Sequence, residues 1–105
     1  MEQEEKIRQL QLIEQNLQNM LVQKQSFQIQ LMELESALNE IEGVKEAFKI
    51  VGNIMISTKK AELSKDLGER KETTELRIKS IEKQENELRT RASALQKDVL
   101  KEMKK

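Results

Sequence analysis

The side chains in this sequence that could do chemistry are carboxylates, amines and hydroxyls. There are 19 Asp and Glu, 19 Lys and Arg, and no His or Cys. Without a thiol there is no thiolate nucleophile, no disulfide and no zinc–thiolate cluster. Without imidazole, no side chain titrates near neutrality unless its surroundings perturb it. A carboxylate or an amine becomes a useful acid or base only in a desolvated pocket that retunes it. An open rod, which the patterning below predicts, has no such pocket. No GxxxxGK[ST] run is present to cradle a phosphate. The expectation is a protein that is not an enzyme, with no catalytic site, no cofactor and no metal.

What the spacing specifies instead is a seam. Leu10, Ile13, Leu17, Met20, Lys24, Phe27, Leu31, Leu34, Leu38 and Ile41 recur at alternating steps of three and four. All but Lys24 are apolar, and a heptad sustained this long marks a coiled coil. A second, weaker heptad follows in Leu67, Ile78, Ile81, Leu88, Ala92, Leu95 and Val99. The composition agrees with long helices: 36% charged residues, 2% aromatic, and no Pro, Trp or Tyr. Disorder is the competing reading of so polar a chain, and regular heptads argue against it.

Helix one is expected over about residues 3–42, with Glu2, Glu4 and Glu5 at its positive end. Gly43 is placed to stop it as a left-handed cap. At 1.5 Å per residue such a helix is about 60 Å long, the length of an arm rather than a core helix. Helix two is expected over about 59–103, with Lys101, Lys104 and Lys105 at its negative end. Gly68 interrupts it, at a cost of about 1 kcal/mol relative to Ala.

Between the helices the pattern changes. Residues 46–58 contain the run Phe48–Thr58, β-branched and apolar, broken by Gly52-Asn53. Such a step between apolar runs predicts a tight hairpin with Gly52 at positive φ. The pairs are then Val51 with Ile54, Ile50 with Met55 and Lys49 with Ile56. One face carries Val51, Ile54 and Ile56, the other Phe48, Ile50 and Met55. A lone hairpin apolar on both faces is not stable in water, so it should join strands of other chains. A buried helix-to-helix connector is the alternative.

Charge and register both favour folding back. Residues 1–42 carry three basic and eight acidic side chains, net −5, and residues 59–105 carry fourteen basic and ten acidic, net +4. The two halves attract. With facing positions summing to 105, Leu10 meets Leu95, Ile13 meets Ala92, Leu17 meets Leu88 and Phe27 meets Ile78. Lys24 and Glu85 fall in neighbouring layers, where they can meet and fix the register. The predicted fold is mainly α, a long antiparallel coiled-coil helical hairpin with a short β-hairpin at the connecting end, forming one domain over residues 1–105.

Taken together, these features resemble the prefoldin family, most closely its archaeal β-type subunits. The specific part is Val51-Gly52-Asn53-Ile54-Met55-Ile56, continuing through Lys59-Lys60-Ala61-Glu62-Leu63. Val22-Gln23-Lys24-Gln25 and Ile81-Glu82-Lys83-Gln84-Glu85 are similar as well. The resemblance implies a hexamer of two α-type and four β-type subunits whose hairpins form a β-barrel. Phe48, Ile50, Val51, Ile54, Met55 and Ile56, around the Gly52 turn, would be its assembly residues. It also implies an ATP-independent chaperone that captures unfolded polypeptides and passes them to a group II chaperonin. Fewer residues follow Val99 than in many members of the family.

Client capture then falls to the coiled-coil tips, where terminal turns fray. Ile7, Leu12, Leu100 and Met103 lie off the seam near both ends and, with Leu10, Ile13 and Val99, compose an adaptable apolar patch. The alternative function is a non-chaperone coiled-coil scaffold or spacer that oligomerises through the hairpin. A nucleic-acid-binding arm is disfavoured by zero net charge and by the lack of stacking aromatics. No run is long and apolar enough to span a membrane, and the acidic start is not a secretory signal, so a cytoplasmic location is expected.

Overall fold

The computed structural model describes residues 2–104. In chain order it comprises α1 (Glu2–Ile41), β1 (Ala47–Val51), β2 (Ile54–Thr58) and α2 (Lys60–Met103). This is the mainly α arrangement expected, two long helices with a β-hairpin between them. Backbone contacts divide the chain into two compact units. One contains the residues up to Ser26 with those from Lys79 onward, and the other is Phe27–Ile78.

In the first unit α1 and α2 run antiparallel, tied by ion pairs from Lys6 to Glu102 and from Lys24 to Glu85, each 2.8 Å. The seam residues Leu10, Leu17 and Met20 of α1 and Leu88, Ala92, Leu95 and Val99 of α2 are half-buried, while Ile13 and Ile81 are buried. The intervals of three and four therefore do place one face of each helix against the other.

In the second unit Ile41, Ala47 and Ile78 are buried and Phe27, Leu31, Leu34, Leu38 and Leu67 half-buried. Thr74 is buried too, four residues before Ile78 on the inward face of α2. Its hydroxyl donates to the Arg70 carbonyl at 2.8 Å, which satisfies it within its own helix. Arg77 lies over the Phe27 ring, 5.6 Å from its centroid, a cation–π contact across the helices.

The seam of α2 is more regular than its apolar residues suggest. Ser64, Leu67, Lys71, Thr74, Ile78, Ile81, Glu85, Leu88, Ala92, Leu95, Val99 and Glu102 all turn inward at alternating steps of three and four. Gln3 and Lys6 likewise extend the seam of α1 toward its start.

The end of α1 corrects one expectation. Gly43 is not in a left-handed conformation; among the described residues only Gly52 has positive φ. The chain leaves the helix through two tightened turns, in which Gly43 N–H donates to the Glu40 carbonyl and Val44 N–H to that of Ile41. The Lys60 ammonium donates to the Glu42 carbonyl at 2.8 Å. Because α1 has no basic residue in its last turn, the first residue of α2 supplies the cation that suits a helix C-terminus.

Candidate functional site

Five residues of β1 pair with five of β2, in the register Ala47↔Thr58, Phe48↔Ser57, Lys49↔Ile56, Ile50↔Met55 and Val51↔Ile54. The last three pairs are those expected from the Gly-Asn step. Gly52 stands at φ +63° and Asn53 is not left-handed, the pattern of a turn with glycine at its first central position. The register is fixed locally, because a two-residue loop leaves the flanking strands no other way to meet.

Alternation then sends Val51, Ile54 and Ile56 to one face and Phe48, Ile50 and Met55 to the other. All six are exposed: Ile50 at 69%, Ile54 and Met55 at 66%, and the rest between two-fifths and three-fifths. The sheet has two strands, so each keeps an outer edge of unpaired backbone groups. Completing the burial of six such side chains would contribute about 5–10 kcal/mol. Association itself costs a comparable amount, so stable assembly requires several hairpins or a further surface. The same unit also contains a cleft of about 240 Å³ lined by Ile41, Val44, Phe48, Leu63 and Leu67 together with Glu40 and Glu46.

The second group of candidate residues lies in the first unit. Ile7, Leu12, Leu100 and Met103 are exposed, as their off-seam positions require. The other three named with them are not surface residues. Ile13 is buried at 5%, and Leu10 and Val99 are half-buried. They pack in the seam because they occupy its inward intervals, so only local separation of the helices would present them. Beside them the Lys6 ammonium is held above the ordinary lysine value by its hydrogen bond to Glu102; partial burial opposes this, and Asp98 and Glu2 reinforce it.

Sequence reasoning missed Glu102 as the partner of Lys6, although both fall on inward intervals once the heptads are carried to the helix ends. Among the described residues no three His, Cys, Asp or Glu side chains converge as a metal would need. Among the described residues no helix is long and apolar enough to cross a membrane. The arrangement can bind other chains through apolar surface and strand edges.

Comparison with known proteins agrees with this geometry. A family model described as "Prefoldin subunit" matches residues 4–105. The prefoldin β subunit of Archaeoglobus fulgidus is 38% identical over 96 residues, covering 89% of this chain and 83% of that protein. That of Thermococcus onnurineus is 37% identical over 94 residues, covering 87% and 81%. The crystal structure of the prefoldin β subunit from Thermococcus strain KS-1 superposes with a TM-score of 0.87 at 32% identity, over 93% of this chain and 89% of that one. Two long helices with a two-stranded hairpin between them are thus a fold this chain has in common with that solved β subunit, and the chain belongs to the prefoldin subunit family, where it is similar to the archaeal β-type members.

Proposed function

We propose that this chain is a subunit of an ATP-independent chaperone that binds unfolded polypeptides and delivers them to a group II chaperonin. It would assemble through its hairpin with an α-type prefoldin subunit, as four copies with two of the partner. The observation that carries the reading is the hairpin: six apolar side chains exposed on two opposite faces, flanked by open strand edges. A surface of that kind is a liability unless other strands cover it. Client capture is assigned to Ile7, Leu12, Leu100 and Met103, with Leu10, Ile13 and Val99 joining when the terminal turns fray. Several such weak patches held together would give avidity for unfolded chains.

The test is native mass, for the chain alone and co-expressed with an α-type prefoldin subunit, followed by aggregation of a chemically denatured protein. A discrete complex of four copies with two partners that suppresses aggregation is the expected result. A homodimer that ignores the partner, or a complex without effect on aggregation, would leave a scaffold in place of a chaperone.

A further inference from the structure

The first unit contains two ionic rungs in a seam that is otherwise apolar apart from Gln3 near its end. Lys24 Nζ sits 2.8 Å from Glu85 Oε1, and Glu85 is the most deeply buried large side chain described, at 2% exposure. Lys6 Nζ sits 2.8 Å from Glu102 Oε1 with both side chains partly covered. Leu10, Ile13, Leu17 and Met20 lie between the rungs on α1, and Leu88, Ala92, Leu95 and Val99 on α2. A buried ion pair is a poor way to gain stability, because leucines of similar volume avoid the desolvation cost. What such a pair can supply is discrimination between alternative pairings.

We propose that these two rungs select the partner and the register of the coiled coil, so that α1 accepts α2 and rejects a second α1. The sense of the charges carries the argument. Both lysines belong to α1 and both glutamates to α2. In a parallel α1–α1 coil each seam position faces its own copy, which sets Lys6 against Lys6 and Lys24 against Lys24. An α2–α2 coil does the same with Glu85 and Glu102. Like charges in a seam of low dielectric repel strongly, and only α1 against α2 pairs each lysine with a glutamate.

Register is constrained by the same groups. A slip of one heptad in one direction leaves Lys24 against Ala92. In the other it leaves Glu85 against Leu17 and Lys6 against Leu95. Each slip keeps the apolar residues in phase, so without the rungs the heptads would tolerate it. Arg89, 4.0 Å from Glu85 on the same helix, supports the carboxylate in every register and discriminates nothing. The inference concerns pairing within the coil and does not depend on what the protein captures.

Two sets of variants of the full chain test it. Lys24→Glu and Glu85→Lys should each lower the melting temperature by roughly 10 °C or more, and the double exchange should recover most of the loss. Lack of recovery would overturn the proposal. The second set removes both charges with Lys24→Leu and Glu85→Leu, which preserves an apolar seam and so keeps folding intact. The chain has no native cysteine, so introduced pairs report cleanly by oxidation. Leu17→Cys with Leu88→Cys reads the register in which facing positions sum to 105, Leu17→Cys with Leu95→Cys reads the one slipped by a heptad, and Leu17→Cys alone reads α1–α1 association. The leucine variant should melt as high as the natural chain or higher, yet acquire the slipped or the intermolecular disulfide. If it forms the native-register disulfide alone, the rungs do not select the pairing.

Discussion

Gly52 and Gly68 differ in what a methyl group would cost. Gly52 sits at φ +63° in the hairpin turn, where an L side chain meets its own backbone, so Gly52→Ala should destabilise by about 1 kcal/mol or more. Gly68 lies inside α2 at an ordinary φ, and a Cβ there would touch nothing within 4 Å. Gly68→Ala should therefore stabilise by about 0.5–1 kcal/mol. Urea midpoints of the two variants check both signs, and a loss at Gly68 would reveal a close approach made only in an assembly. Lys6 gives a pH prediction. Its value is raised above 10.5, chiefly by the hydrogen bond to Glu102. The stabilisation is therefore complete below the unfolded value and is lost as pH climbs through the higher folded one. Melting temperatures taken from about pH 9 to 12 should fall further for the natural chain than for Lys6→Met; parallel curves would show that the pair contributes nothing.

At the scale of elements, the hairpin and the helices depend on different forces. The strands are held by a tight turn and five backbone pairs, and their side chains bury little in the isolated chain. The helices are held by a seam of apolar intervals with polar residues satisfied inside it. A charge on the hairpin should therefore damage assembly and spare the helices. Val51→Asp or Ile54→Asp places a carboxylate where the proposed barrel would enclose it, at a cost of several kcal/mol. Native mass should fall to the free chain while the far-ultraviolet circular dichroism keeps most of its helical amplitude. An intact oligomer in either variant would remove the barrel assignment.

For the whole molecule, the relevant facts are where apolar surface remains exposed and how charge is shared. The chain has no formal net charge, so neither a strong self-repulsion nor a strong general attraction to polyanions governs its behaviour. Its exposed large side chains include the hairpin set and Ile7, Leu12, Leu100 and Met103. Changing those last four to Ser should reduce suppression of aggregation severalfold while native mass stays the same, since none of them belongs to the seam. Unchanged suppression would move client binding to another surface, and the exposed Val22, Ile29, Met32 and Leu76 would be examined next.

The sequence by itself determined the helices, the seam of α1 and the register of the hairpin, because each depends on neighbours within a few residues. Steps of three and four specify a helix face, and Gly52-Asn53 leaves two residues to turn the chain. Only the tertiary structure decided how polar residues fill the seam of α2. Thr74 and Glu102 read as interruptions in the sequence, yet Thr74 turns inward with its hydroxyl on the Arg70 carbonyl and Glu102 turns inward against Lys6. Glu102 and Lys6 stand 96 positions apart, too far for local spacing to pair them, whereas Lys24 and Glu85 are already legible as neighbouring layers of the two heptads. The end of α1 was undecided for the same reason. A glycine is a plausible left-handed cap from its neighbours alone, but Lys60, brought back by the hairpin, capped the helix through the Glu42 carbonyl and left Gly43 an ordinary turn.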